Sequence, residues 1–95
     1  MNDEEARTLL LLHLEQWRGR SWAELRVLVL LDDQETCEVT GPSGVRYQIE
    51  VQAFWDDQPE GNIRVLGGID DGGVRAYFPL CTDFIKAPSG AFIGE

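Results

Sequence analysis

From Val45 to Trp55 an apolar side chain recurs at every second position (Val45, Tyr47, Ile49, Val51, Ala53, Trp55), and Arg46, Gln48, Glu50, Gln52 and Phe54 take the places between. An extended backbone puts residues i and i+2 on one side, whereas a helix scatters them, so this segment is a strand with one face to bury. The same alternation runs through "IRVLGGI", sending Ile63, Val65 and Ile69 inward, and through "VRAYFPL", sending Val74, Ala76, Phe78 and Leu80 inward. A shorter strand, "TCEVT", comes before "GPSG", with Cys37 and Val39 as its inward residues. Four such strands joined by short turns predict an antiparallel meander with one covered face.

The cover comes from the first third of the chain, where the period is helical. Between Asp3 and Arg18, Ala6, Leu10, Leu14 and Trp17 form one stripe, and acidic residues at 3–5 suit a helix N-terminus. Leu9 and Leu12 widen the stripe beyond the about 100° a helix needs to lie on a sheet. The excess predicts a further contact: the next helix, the C-terminal segment, or a second copy in a homodimer through this helix. Gly19 ends the stretch, and Ser21 with Glu24 has the spacing of a capping box, which predicts a second helix from Trp22 to about Leu31. The same run, "LRVLVLL", also suits a buried strand through Val27 and Val29.

The fold expected is therefore a single α+β domain over residues 1–95. Two N-terminal helices (3–31) pack on one face of a four-stranded antiparallel meander sheet (35–80), followed by a C-terminal segment (81–95). In that segment Phe84, Ile85, Phe92 and Ile93 flank a Pro-Ser-Gly turn, the pattern of a small hairpin.

The stretch "GIDDGG" carries two aspartates among glycines. A calcium loop needs further oxygens at set intervals, and none follow. Asp71-Gly72 in a two-residue type I′ turn instead pairs Ile69 with Val74, Gly67 with Ala76, Val65 with Phe78 and Ile63 with Leu80, inward facing inward throughout. Extended to the outer face, that register sets Gln52, Leu66 and Tyr77 in one row. Phe54, Arg64 and Pro79 form the next row, and Glu50, Gly68 and Arg75 the row on the other side. The outer face then holds an apolar centre edged by arginines, and Phe54, Arg64, Leu66, Arg75 and Tyr77 are the candidate partner surface. A plain solvated face, or a face covered by the C-terminal segment, are the other two readings.

Charge narrows the partners. Eight basic residues against 17 acidic ones give a net charge of −9, which repels the phosphate backbone of nucleic acid. Asp56, Asp57 and Glu60 of "WDDQPEGN" share one end of the sheet with Asp83 and form the alternative site, for a hard cation; a solvated acidic loop is the ordinary reading. Catalytic signatures such as G-x-S-x-G, H-E-x-x-H or a P-loop are missing from the sequence. His13 lies within the apolar arc of the first helix and reads as a core-edge or interface histidine. Cys37, Cys81 and one histidine fall short of the four ligands of structural zinc.

The compartment expected is a reducing cytoplasm, with no cofactor and no membrane association. "MNDEEART" is acidic where a secretory signal is basic, and "LLLLHL" falls far short of the about 20 residues of a membrane span. Together these features predict a small acidic cytosolic module that binds protein through its outer sheet face. The alternative is a small-molecule- or cation-binding protein or small enzyme, with its site at the acidic end or between helices and sheet.

Overall fold

The structure, a computed structural model, describes residues 1–73 and 79–95. In chain order its elements are α1 (Asp3–Arg18), α2 (Trp22–Leu31), β1 (Gln34–Thr40), β2 (Arg46–Trp55), β3 (Ile63–Asp70) and β4 (Leu80–Lys86). The strands form one antiparallel sheet in the order β1-β2-β3-β4, with α1 packed against β3 and β4 and α2 against β2 and β3. This is the α+β meander that the change of period predicts.

Local chemistry fixes both helices. Asn2 Oδ1 accepts the Glu5 N–H at 3.1 Å, satisfying one of the orphan donors of α1. For α2, Ser21 Oγ accepts from Glu24 N–H at 3.1 Å while Glu24 Oε1 accepts from Ser21 N–H at 3.3 Å, a complete capping box. The cap decides what Val27 and Val29 left ambiguous: residues 22–31 are helix.

α1 buries Ala6, Leu10, Leu14 and Trp17, the predicted stripe. Facing them from the sheet are Tyr47, Ile49, Val51, Ala53, Ile63, Val65 and Ile69. Burial of side chains the size of Leu10 or Ile49 contributes about 1.5–3 kcal/mol each. Close approach of helix and sheet depends on Gly67, where a Cβ would lie 3.1 Å from methyls of Leu10 and Leu14. Trp22 ties α2 down at the other end: its indole N–H donates to Gly61 O at 2.9 Å and its ring meets Trp55 at 6.3 Å. The edge of the wide apolar arc stays in solvent, with Leu12 63% exposed, and Leu11, outside the arc, is 49% exposed.

The fourth strand departs from expectation. Alternation predicts a strand at 74–80 with Leu80 opposite Ile63; the strand is Leu80–Lys86, with Leu80 opposite Ile69, Phe84 opposite Val65 and Lys86 opposite Ile63. The two registers differ by an even number of residues, so both keep inward residues facing inward, and alternation cannot choose between them.

Three interactions favour the observed register. Phe84 joins the core. Lys86 Nζ donates to Arg18 O at 3.2 Å, the last carbonyl of α1, and to Arg20 O at 2.7 Å in the turn that follows. Asp70 and Asp71 accept from Gly72 and Gly73 N–H through their Oδ1 atoms, at 2.8 and 3.2 Å, closing local Asx turns instead of a type I′ hairpin. Gly72 carries a positive φ of 86°, and Asp71 does not. Val74, Arg75, Ala76, Tyr77 and Phe78 lie outside the described residues, and with them the other pairs of the predicted hairpin.

The C-terminal segment forms the small hairpin its turn residues predict. Ala87 N–H donates to Ala91 O at 2.8 Å and Ile93 N–H to Ile85 O at 2.9 Å, with Phe92 opposite Lys86. Phe92 meets Phe84 edge-on at 5.8 Å, the Arg18 guanidinium lies 3.9 Å above the Phe92 ring, and Arg18 donates twice to Glu95, at 2.8 and 2.6 Å. The segment's aromatic anchor thus serves the helix side of the sheet and not the outer face. Among the described residues no helix is long and apolar enough to cross a membrane.

Candidate functional site

On the outer face, the pairing of β2 with β3 places Gln52 beside Leu66, Phe54 beside Arg64 and Glu50 beside Gly68, as expected. The fourth column is different. Asp83 stands beside Leu66, Ile85 beside Arg64 and Cys81 beside Gly68, the places predicted for Tyr77, Pro79 and Arg75. Of the predicted surface, Phe54, Arg64 and Leu66 share this face and are half-buried. Arg75 and Tyr77 lie outside the described residues.

Arg64 is not a free edge charge. Its Nε donates to Asp56 Oδ1 at 2.9 Å, and Nη1 donates to Asp83 Oδ2. The hydrogen bond to Asp56, and then that to Asp83, raise the guanidinium pKa further. Asp56 and Asp83 do converge, as the acidic-end alternative requires, but on an arginine. Glu60 is turned away to Arg26, which donates at 2.6 and 2.7 Å, and Asp57 accepts the Gln58 N–H at 2.8 Å. The four carboxylates are partnered by protein donors, which leaves little of the oxygen cage that a hard cation takes.

Beside Leu66 the surface dips. Gln34, Glu50, Gln52, Leu66, Gly68, Pro79 and Cys81 line a shallow hollow of about 140 Å³. It exists because Gly68 points outward without a side chain: a Cβ there would meet Cys81 Sγ and Pro79 Cβ at an ordinary 3.6 Å. The alternation shows Gly68 on this face, but the proline and thiol that wall the hollow depend on the register of β4.

On the helix side the fold assembles a cluster that sequence reasoning missed. His13, on the flank of α1, brings Nε2 to 2.5 Å from Glu35 Oε1, and Cys37 Sγ lies 3.9 Å from both ring nitrogens. Glu35 and Cys37 stand two apart on β1 and so share its inward side. Ligand-capable atoms of the three residues lie within 4.8 Å of one another. The pattern of β1 places Glu35 and Cys37 together; nothing in it tells that His13 leans toward this edge.

The cluster contains the parts of a thiol–imidazole–carboxylate triad but not its geometry. Equal distances to Nδ1 and Nε2 put Sγ off the lone-pair direction of either, and Nε2 is taken by Glu35. Burial, and then the charge of Glu35, push the Cys37 thiol up, the opposite of what a nucleophilic cysteine needs. Cys37 and Cys81 are free thiols on opposite edge strands.

A third polar knot pins the N-terminus of α1 to the β1–β2 turn. Glu5 accepts from Ser43 Oγ at 2.7 Å, Ser43 N–H at 3.2 Å and Tyr47 Oη at 2.9 Å. The Ser43 hydroxyl, with help from Tyr47, holds the Glu5 carboxyl below the ordinary range, while burial and then Glu5 push the Tyr47 phenol up. Gly41 makes room for this contact, since a Cβ there would sit 2.2 Å from Glu5 Oε1.

Comparison of the chain with protein-family models, with curated proteins and with solved structures finds no match.

Proposed function

We propose that this chain is a non-catalytic binding module of a reducing cytoplasm, which docks a protein partner on the outer face of its sheet. The observation that carries this reading is the hollow over Gly68. A shallow hollow of about 140 Å³ has room for the tip of one apolar side chain. Its lining carries one carboxylate, Glu50, while Asp83 beside Leu66 is held by Arg64. Arg64, the nearby cation, is already matched by two carboxylates. With a net charge of −9 behind it, the occupant of complementary chemistry is a basic segment that presents one apolar anchor.

The test is a peptide-library selection on the wild-type protein, followed by binding to Gly68→Leu, which fills the hollow. The expected result is a set of peptides with an apolar anchor flanked by Lys or Arg, bound at least about tenfold more weakly by the variant, or ~1.4 kcal/mol. Peptides that bind both proteins equally remove this face from the reading.

A homodimer through α1 is a second reading, favoured by the exposure of Leu11 and Leu12. Light scattering at two concentrations separates the two: a mass that doubles with concentration and collapses in Leu12→Glu supports it. A monomer at both concentrations ends it.

A further inference from the structure

We infer that His13, Glu35 and Cys37 form a binding site for a borderline divalent transition metal, with zinc(II) as the type case, and that its fourth coordination position is open. Imidazole nitrogen, carboxylate oxygen and thiolate sulfur are the three donor types zinc takes from proteins. Calcium and magnesium take shells of oxygen, which this cluster does not supply.

The three donors are gathered, and filling the site requires them to rearrange around the ion. Zinc–ligand bonds of about 2.0–2.3 Å in a tetrahedron separate the donor atoms by about 3.3–3.7 Å. Cys37 Sγ stands 3.9 Å from both imidazole nitrogens and off the lone pair of either, so the Cys37 and His13 side chains must turn to share an ion. The 2.5 Å between His13 Nε2 and Glu35 Oε1 is a hydrogen bond. It opens when the proton between the two atoms gives way to the metal, with the ring proton then carried on Nδ1. Cys37 binds as thiolate, its proton passing to solvent. Thiolate, carboxylate and a divalent ion sum to zero charge, so the filled site in this half-buried seam is neutral overall.

Two features separate this cluster from a chance meeting of side chains. Its ligands stand on regular elements, one on α1 and two on one face of β1, which restrict their movement. Glu35, alone of the three, also lines a hollow of about 290 Å³ with Trp17, Arg20, Leu28 and Asp33. The side chains of His13 and Glu35 are 14% and 34% exposed, so an ion can enter without unfolding the seam. Three protein ligands with a reachable fourth position are the pattern of sites that exchange a ligand, in contrast to closed four-ligand structural zinc.

The site lies on the helix side of the sheet, away from the hollow over Gly68, so the fate of the docking reading does not touch it. Cobalt(II) titration of the reduced, metal-free protein reads it directly. The expected result is one cobalt per chain, with a sulfur-to-cobalt charge-transfer band and visible bands of tetrahedral strength, all displaced by zinc. Cys37→Ser abolishes the charge-transfer band, His13→Asn and Glu35→Gln weaken binding by about tenfold or more, and Cys81→Ser changes nothing. Circular dichroism checks that each variant folds.

A measurement on the wild-type chain stands beside the variants: zinc slows alkylation of Cys37 but not of Cys81, read by peptide mass spectrometry. The inference is overturned if millimolar cobalt gives no charge-transfer band, if the band survives in Cys37→Ser, or if zinc leaves alkylation of Cys37 unchanged.

Discussion

Gly67 and Gly68 are neighbours on β3 and face opposite sides of the sheet. On the helix side the missing side chain of Gly67 is used: Leu10 and Leu14 press to within 3.1 Å of where its Cβ would be. On the outer side the missing side chain of Gly68 leaves room, with Cys81 and Pro79 at 3.6 Å and a hollow beyond. One residue type therefore does two jobs. At Gly67 its smallness closes the core; at Gly68 it keeps a surface concave, at no gain to packing. A concavity that packing does not require is where a binding surface is to be sought, and the pair offers a way to separate stability from binding.

The largest effect expected is that of Gly67→Val. Three extra carbons against Leu10 and Leu14 must push α1 off the sheet, an overpacking cost of about 1–3 kcal/mol or more. For a domain of this size each kcal/mol lowers Tm by about 4–8 °C, and thermal unfolding reads the sum. A Tm within a few degrees of wild type would break the comparison at its helix side.

Lys86→Met comes next. It keeps the aliphatic stem but strips Arg18 O at the end of α1 and Arg20 O in the next turn of their donor, a loss of about 1–3 kcal/mol in urea unfolding. An unchanged midpoint would mean that water replaces Nζ without cost.

Acid sharpens the picture of how the helix layer is tied down. Hydrogen bonds from Ser43, Arg26 and Arg18 hold Glu5, Glu60 and Glu95 below their ordinary range. A carboxyl with a depressed folded pKa stabilises the fold above its unfolded value, and that contribution is lost as pH falls through the folded one. Stability is therefore expected to be flat near neutrality and to decline from about pH 4 downward. Glu5→Gln should be less stable than wild type at neutral pH, with the gap closing in acid. A gap that stays constant with pH would show that the Glu5 charge plays no part.

The smallest effect on stability belongs to Gly68→Ala. A methyl fits at ordinary contact distance, and a less flexible unfolded chain offsets by about 0.4–1 kcal/mol in favour of the fold. A clear loss of Tm would mean that the outer face is packed as tightly as the inner one.

How much of this was legible in the sequence follows from what each pattern encodes. Alternation fixes which residues of β2 and β3 face inward, and it does so correctly from Tyr47 to Ile69. The capping box at Ser21 and Glu24 names the second helix through two hydrogen bonds that need no tertiary contact. The place of β4 was not legible, because a shift by an even number of residues leaves every side chain on the same face. Phe84 in the core and Lys86 on the end of α1 select the register, and both are tertiary facts.

The same holds at the sites. Leu66 and Gly68 are visible as outward residues, whereas Cys81 and Asp83 come beside them only through the register of β4. Glu35 and Cys37 are visible as an inward pair on β1. His13 joins them through the lateral position of α1 on the sheet, a quantity that periodicity does not contain.

The most direct test of the docking claim compares adjacent glycines with a single ligand. A peptide selected on the wild type is titrated against wild type, Gly67→Ala and Gly68→Leu, with Tm measured for each. Docking over Gly68 predicts that Gly67→Ala keeps affinity whatever its Tm, while Gly68→Leu keeps Tm and loses at least about tenfold in Kd. Affinity that falls with Tm in Gly67→Ala, or that is unchanged in Gly68→Leu, contradicts it.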